Sequence, residues 1–173
     1  MVILWSDNGT MWGEHNRIAK FVPYLPSVNV PFFIRWDGHM AAGTRTVLVS
    51  NVDLAPTIYQ ATGVSPAATL KIDGHSLLAP LTRPYEFNEY WLDTVNGNVP
   101  DWAQIHNTHF AYIETYSDTG ALSFQEYYNL DTDPGENTNL LKDTNKADPP
   151  TSLITTLKTE LATARTCAGS SCP

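Results

Sequence analysis

The feature that most limits the fold is a short apolar run that ends in a polar turn sequence. Val2–Trp5 is apolar throughout, and the next four residues read Ser-Asp-Asn-Gly. A short apolar run bounded by turn residues is typical of a buried β-strand. Residues 30–36, which precede the turn dipeptide Asp37-Gly38, and residues 46–49 predict two further strands in the same way.

A helix is predicted directly after the third of these strands. Ser50 and Asp53 are both suitable N-caps, and Gly63 suits the C-terminal end. Pro56 favours Asp53, because the proline then lies in the first turn, where its missing N–H costs nothing. Three apolar residues would face the core: Leu54, Ile58 and Ala61. Alternation of strands with a helix predicts an α/β layer that contains a partly parallel sheet.

The second half of the chain carries patterns of a different kind. Residues 110–116 and 122–130 predict a β-hairpin, and the link 117–120 contains the Asp and Gly that such turns prefer. Leucines repeat every four residues from Leu153, which predicts an amphipathic helix of about fourteen residues. We expect Asp148-Pro149 to supply the N-cap and the first residue of that helix.

The composition also changes along the chain, because Asn, Asp, Thr, Tyr and Trp become frequent after Arg83. We therefore expect two units. Residues 1–83 form an α/β sheet unit. Residues 84–173 form a small α+β subdomain, in which an antiparallel sheet packs against a C-terminal helix.

The charge balance excludes several classes of function. Lys and Arg number 10 and Asp and Glu number 18, so the net charge is -8. Such an acidic chain lacks the electrostatic footprint of a general nucleic-acid or anionic-membrane binder. No apolar run approaches the ~20 residues that a membrane helix needs. The first residues also lack the basic region of a secretory signal. We expect neither nucleic acid nor membrane among the partners.

Two cysteines, Cys167 and Cys172, lie close together near the C-terminus. They are either two free thiols or the ends of a small disulfide loop. A disulfide would indicate an oxidising compartment, which means a secreted or periplasmic protein. A pair of cysteines alone is a poor zinc site.

Asp7 and Asn8 are candidate metal ligands at the end of the first strand. Their carboxylate and amide oxygens are what hard cations such as Ca²⁺ prefer, and ligands of α/β sheets often lie beyond strand ends. An ordinary turn explains the same residues. Asn8-Gly9-Thr10 also matches the N-glycosylation pattern. Because a glycan would occupy the amide of Asn8, the two functions exclude each other, and we favour the metal.

His15 and Lys20 are candidate anion-binding residues in the segment that follows. Lys20 could reach an anionic group held by the metal, because lysine is a point charge with three donors. The alternative is an exposed lysine and a structural or solvated histidine.

Taken together, these segments resemble the C-terminal part of a sulfatase of the alkaline-phosphatase-like superfamily. The matching segments are Leu4-Trp-Ser-Asp-Asn-Gly9, Gly13-Glu-His15, Lys20, Val30-Pro-Phe-Phe-Ile-Arg35, 49–58, Ile72-Asp-Gly-His-Ser-Leu77, Tyr112-Ile-Glu114 and 126–134, with Glu136, Asn139 and Leu140. The resemblance implies the C-terminal part of an alkaline-phosphatase-like α/β sheet domain, followed by the small α+β subdomain. It also implies that Asp7 and Asn8 bind a divalent cation, usually calcium, and that Lys20 contacts the sulfate. His15 lies in a matching segment and is a candidate catalytic residue.

The chain departs from the family pattern at the nucleophile. In the family, a formylglycine made from Cys or Ser in a Cys/Ser-x-Pro-x-Arg motif attacks the sulfur, and two further aspartates bind the metal. This sequence contains neither that motif nor the Asp-Asp pair. We therefore expect a C-terminal fragment that carries half of a calcium site and is inactive alone. It would associate with itself or with the missing N-terminal part.

Two alternatives remain open at this point. The parent could cleave phosphate or phosphonate esters, as other members of the superfamily do. The chain could also be a non-catalytic carbohydrate-binding or interaction module. Five aromatic residues of the second half would then line a cleft: Tyr85, Phe87, Tyr90, Trp91 and Trp102.

Overall fold

The computed structural model describes residues 1–91, 99–142 and 148–173. The elements of the first half are β1 (Val2–Trp5), β2 (Met11–Trp12), β3 (Ile18–Ala19), α1 (Leu25–Val28), β4 (Phe32–Arg35) and α2 (Leu54–Thr62). The elements of the second half are β5 (Glu86–Tyr90), β6 (Trp102–His106), β7 (Phe110–Tyr116), β8 (Leu122–Asn129) and α3 (Thr151–Ala164).

The first half contains two small antiparallel sheets. β1 pairs with β4, so that Leu4 lies opposite Phe33, and β2 pairs with β3. The strands predicted from residues 2–5 and 30–36 are thereby confirmed as strands, but the expected burial of the first is wrong, because Val2 and Leu4 are 66% and 64% exposed. The expected parallel pairing is wrong within the described residues, where every strand pair is antiparallel. A parallel pair needs a long crossover connection, and only a small hairpin and a one-turn helix separate β1 from β4.

The third predicted strand, over residues 46–49, is wrong. This segment has no ladder partner among the described residues and forms irregular backbone. The carbonyl of Leu48 instead accepts a hydrogen bond from Nη1 of Arg83 over 3.4 Å.

Helix α2 uses both of its predicted caps, one after the other. A 3-10 turn over Asn51–Asp53 follows Ser50, whose N–H donates to Oδ2 of Asp53 over 2.8 Å, and α2 begins directly after Asp53. Gly63 ends the helix with a left-handed φ of 69°, as predicted. The expected core face is wrong in part, because Ile58 is 47% exposed. The buried position is Thr57, whose hydroxyl accepts the N–H of Leu77 over 2.9 Å.

The second half is a four-stranded antiparallel sheet in the order β5-β6-β7-β8, with α3 on one face. It confirms the predicted hairpin and the predicted fourteen-residue helix. The predicted cap is wrong, since α3 begins at Thr151 with Pro150 as N-cap. The reason is local: a residue that precedes a proline is kept out of the helical region, and Pro149 precedes Pro150.

Alternation along β6 divides the sheet into two different faces. Ala103 and Ile105 pack in the core that Leu157 and Leu161 of α3 complete. Residues 102, 104 and 106 point to the opposite face. Further along this face, Tyr24 and Leu25 pack over Ile113 and Tyr128. The segment after Lys20 therefore lies against the second sheet.

The C-terminal tail folds back on the first half of the chain. Cys167 and Cys172 form a disulfide, which settles the alternative left open by the sequence. The carbonyl of Cys172 lies 3.2 Å from Nε2 of His75, and the N–H of Gly169 donates to Asp73 over 2.6 Å. None of the described helices is long and apolar enough to cross a membrane.

Candidate active site

A tight turn at the end of β1 positions Asp7 and Asn8. The hydroxyl of Ser6 donates to the carbonyl of Asn8 over 2.8 Å, and the amide of Asn51 donates to the carbonyl of Asp7 over 2.9 Å. Gly9 follows where any Cβ would collide with the carbonyl of Pro26. The turn is therefore fixed by its own residues and by the segment that leads into α2.

Lys20 completes this cluster from the residue after β3. Its Nζ donates to Oδ1 of Asn8 over 2.8 Å and lies 3.8 Å from Oδ2 of Asp7. The side chain of Asp7 is 82% exposed and that of Lys20 is 38% exposed. Three of the four candidate residues from the sequence thus lie together.

His15 lies elsewhere. Its ring stacks on Tyr24 with 3.8 Å between ring centroids, and its Nε2 lies 3.1 Å from the carbonyl of Gly135. These contacts join the strained turn at residues 14–16, where His15 has a φ of 53°, to the loop after β8. His15 therefore contacts Tyr24 and the loop after β8 rather than the Lys20 cluster.

A cleft of about 410 Å³ opens beside the cluster. One wall is formed by Asp7, Asn8 and Lys20, together with the irregular segment 47–51. Residues of β5 and β6 form the opposite wall: Glu86, Asn88, Glu89, Tyr90, Trp102 and His106. The cleft thus lies between the two units that the sequence predicts.

The β5–β6 wall carries a histidine that stays neutral. Burial lowers the pKa of His106 to about 4, because desolvation disfavours the imidazolium. Nδ2 of Asn88 lies 3.5 Å from Nδ1 of His106. Close to neutral pH, Asn88 and His106 therefore offer uncharged hydrogen-bonding groups on a wall that also carries Glu86 and Glu89.

A buried ion cluster supports both walls. Arg83 contacts Asp53 through two short hydrogen bonds and contacts Glu86 over 2.8 Å. Burial opposes ionisation of Asp53, but hydrogen bonds from Arg83, His75 and Ser50 outweigh it and lower the pKa of Asp53. The pKa of Glu86 is raised, because burial outweighs its attraction to Arg83.

Sequence reasoning named two aromatic residues of this wall, Tyr90 and Trp102, but missed its polar residues and the ion cluster. Period-two alternation of polar and apolar residues over 102–106 was the signal available for β6. Nothing in the sequence indicated that Arg83 pairs with Asp53, thirty residues earlier.

Comparison with known proteins decides the family. Residues 13–166 match the family described as N-sulphoglucosamine sulphohydrolase, C-terminal. The chain belongs to the sulfatase family. It corresponds to a C-terminal portion, as the resemblance of its motifs indicated.

The sequences of individual sulfatases support the same family assignment. An arylsulfatase from Clostridium perfringens is 31% identical over 144 residues, which cover 79% of this chain and 28% of that protein. Arylsulfatase K from Homo sapiens is 30% identical over 154 residues, or 81% of this chain and 27% of that protein. The chain therefore spans less than a third of the length of these relatives, whose names assign sulfate-ester hydrolysis to the family.

A solved structure has the same fold as this chain. It is described as a protein in complex with its substrate D-glucosamine-2-N,6-O-disulfate, and it aligns with a TM-score of 0.76 and 26% identity. The alignment covers 92% of this chain and 33% of that one. The predicted fold class, part of an α/β sheet domain followed by a small α+β subdomain, is confirmed.

The aromatic residues proposed to line a cleft divide into two groups. Tyr90 and Trp102 do line it. Tyr85 belongs to the core under α3, Phe87 packs against that core, and Trp91 lies under the guanidinium of Arg165. Only part of the aromatic set is available to a ligand in the cleft.

Proposed function

We propose that this chain is the C-terminal part of a sulfatase that hydrolyses sulfate esters, and that it contributes Asp7, Asn8 and Lys20 to the active site. The observation that carries the proposal is the contact of Lys20 Nζ with Oδ1 of Asn8, at 2.8 Å, beside an open cleft. Residues 1–83 are the C-terminal part of the catalytic domain in this proposal, and residues 84–173 are the subdomain.

Lys20 binds the sulfate in this proposal. Its ammonium group is partly buried and lies next to the cleft, so its charge is less screened than that of a fully exposed lysine. It donates hydrogen bonds to sulfate oxygens and stabilises the negative charge that develops as the ester bond breaks.

Asp7 and Asn8 are suited to hold a divalent cation, which we take to be calcium. The carboxylate of Asp7 is exposed, with Ser6 at 3.4 Å and Lys20 at 3.8 Å as its contacts, so its oxygens can accept a ligand. A calcium ion takes six to eight oxygens, so most ligands would come from outside this chain. When bound, the cation supplies Lewis-acid polarisation of the sulfate.

The nucleophile lies outside these residues in our proposal. The sequence has no Cys/Ser-x-Pro-x-Arg motif from which a formylglycine is made. We therefore propose that residues 1–173 are inactive alone. For His15 we propose a positioning role, because its contacts are with Tyr24 and Gly135.

We infer the partners from an exposed apolar surface and the location from the disulfide. Val2, Leu4 and Phe33 on β1 and β4 are more than 60% exposed, which suits association with the N-terminal part or with a second copy. The disulfide between Cys167 and Cys172 supports secretion or a periplasmic location.

The test is hydrolysis of 4-nitrophenyl sulfate by the complete polypeptide that carries this chain. Lys20→Ala should lower kcat/KM by about 10²-fold or more, the range for loss of one group that stabilises the transition state. The matched control is Lys158→Ala, on the exposed side of α3, which should leave kcat/KM unchanged. Hydrolysis of phosphate or phosphonate esters in preference to sulfate would support the alternative class. Turnover by residues 1–173 alone would contradict the external nucleophile.

A further inference from the structure

We propose that Asn88, Tyr90 and His106 form a subsite that binds hydroxyl groups on the alcohol half of the ester, and so select an uncharged, polyhydroxylated ring. This inference rests on the proposed function, because the position of Lys20 defines which end of the cleft holds the sulfate. The three residues lie on the β5–β6 wall, opposite the Lys20 cluster.

Continuous contacts connect the lysine to this wall. Phe21 follows Lys20 directly, and its ring centroid lies 5.3 Å from Nζ of Lys20 and 5.4 Å from the ring of Tyr90. The indole N–H of Trp102 donates to the carbonyl of Phe21 over 2.7 Å. A molecule whose sulfate contacts Lys20 therefore reaches the wall across aromatic surfaces, which suit the apolar faces of a sugar ring.

The polar groups of the wall match hydroxyls. His106 carries a neutral imidazole with one donor and one acceptor, and Asn88 carries an amide with both kinds of group. A hydroxyl group also donates and accepts. Neutral groups of this kind recognise a sugar without attracting a second anion.

Buried polar atoms on this face have no partner in the described part of the chain. The hydroxyl oxygen of Tyr90 is buried without a hydrogen bond, although its ring lines the cleft. Gln104 is 0% exposed, and neither its amide oxygen nor its amide nitrogen has a partner. It lies between Trp102 and His106 on the same strand face, directly opposite Asn88. Unpaired buried polar groups are unfavourable, so a hydroxylated ligand that approaches Tyr90 would stabilise this face.

The charges on the wall argue against an anionic leaving group. Glu86 and Glu89 both line the cleft. Glu86 shares Arg83 with Asp53, and Glu89 lies 3.8 Å from Arg165. Because these cations already contact carboxylates, a second sulfate on the substrate would meet acidic groups and no free positive charge among these wall residues.

The test is an NMR titration of the isotope-labelled chain with inorganic sulfate, glucose 6-sulfate and a 2,6-disulfated glucose. We expect all three to shift the signals of Lys20 and Asn8. Only the sugars should also shift the side-chain N–H signals of Asn88 and Trp102. The disulfated sugar should bind no more tightly than glucose 6-sulfate.

Variants separate the subsite from the sulfate contact. His106→Gln and Asn88→Ala should each weaken the binding of glucose 6-sulfate by about three- to tenfold, the range for one neutral hydrogen bond. Neither variant should change the binding of inorganic sulfate. The matched control is His109→Ala, which removes an exposed histidine paired with Asp131. Two variants are used so that a folding defect in one, seen as a lowered Tm, leaves the other to decide.

The outcomes are distinguishable. If glucose 6-sulfate shifts the signals of Lys20 and Asn8 only, the proposed subsite is wrong, and the proposed function is unaffected. If inorganic sulfate shifts neither residue, the sulfate contact of the proposed function is wrong. Tighter binding of the disulfated sugar would overturn the selection for an uncharged ring.

Discussion

Arg83 and Asp53 form a bidentate ion pair in which Nη1 donates to Oδ2 over 2.7 Å and Nη2 donates to Oδ1 over 2.8 Å. Both side chains are almost completely buried. The pair joins the start of α2 to the start of β5. Since Arg83 also contacts Glu86 over 2.8 Å, the cluster connects the segment before α2 with β5, which forms one wall of the cleft.

Removing one member of this pair should strongly destabilise the protein. Arg83→Ala leaves Asp53 and Glu86 buried without their cation, and we expect a loss of about 3–5 kcal/mol in the free energy of unfolding, measured with urea. The matched control is Arg35→Ala, which removes an exposed pair with Asp37 and should cause no measurable change. Equal effects of the two variants would contradict the structural role of Arg83.

Glu136 should make stability fall as the pH rises. Its pKa is raised from 4.5 to about 7, chiefly by burial and also by the charges of Glu126 and Asp133, although the N–H of Leu25, which donates to it over 2.8 Å, lowers the pKa. The folded state then holds a proton that the unfolded state loses. The stabilisation that comes from this proton is complete below about pH 4.5 and is lost as the pH rises to about 7. The loss in the free energy of unfolding is about 3 kcal/mol.

Glu136→Gln should therefore flatten the pH dependence of the free energy of unfolding and make the variant more stable than the wild type at pH 8. Urea unfolding at pH 5 and pH 8 measures both. Asp118→Asn, in the exposed turn between β7 and β8, is the control and should leave the wild-type slope in place. A wild type that is more stable at pH 8 than at pH 5 would contradict this assignment.

The disulfide should stabilise the tail and the segment on which it packs. Replacing Cys167 and Cys172 together by Ser should cost about 2 kcal/mol, the chain-entropy value for so short a loop. Amide exchange should accelerate at Gly169, whose N–H donates to Asp73. Dithiothreitol should destabilise the wild type and leave the double variant unchanged, and an effect on both would show that the reagent acts elsewhere.

Lys20 should compete with calcium for Asn8. Since Nζ of Lys20 donates a hydrogen bond to Oδ1 of Asn8, a cation that binds the same oxygen must displace the ammonium group. We expect calorimetry to give a Kd for calcium above about 10⁻⁵ M, which means weaker binding than complete sensor sites show. Lys20→Met should tighten binding and Asp7→Asn should weaken it. Micromolar binding by the wild-type chain would contradict the half-site.

The exposed face of β1 and β4 should drive association of the chain. Leu4 and Phe33 are direct cross-strand neighbours, 64% and 63% exposed. Leu4→Glu should reduce any self-association seen by sedimentation velocity, because it places a charge in the apolar patch. Leu70→Glu changes a leucine of similar exposure away from these strands and should have no effect.

Apolar runs and periodicity predicted the elements whose apolar residues are consecutive or regularly spaced in the sequence, even where, as in β1 and β4, several of those residues are exposed. β1, β4, the hairpin of β7 and β8, and α3 were all found in this way. β5 and β6 were missed because one face of each carries polar residues such as Asn88 and Gln104. Their apolar signal is therefore weak, and the strands depend on the rest of the sheet.

The candidate site was predictable only in part. Motif resemblance grouped Asp7, Asn8 and Lys20, and the structure places them together. The opposite wall depends on how β5 and β6 pack against the segment that contains Lys20, and the Arg83 pair depends on a contact between residues far apart in sequence. Neither relationship leaves a local pattern in the sequence, so neither could be predicted without the three-dimensional structure.

The hydrogen bond of Trp102 to Phe21 gives the cleft an optical signal of its own. Among the five tryptophans Trp102 is buried and Trp36 is half-buried, whereas Trp5, Trp12 and Trp91 are exposed. Its emission should therefore lie at shorter wavelength and resist quenching by iodide. Filling of the cleft can be followed by fluorescence in the unlabelled protein, without attaching a dye.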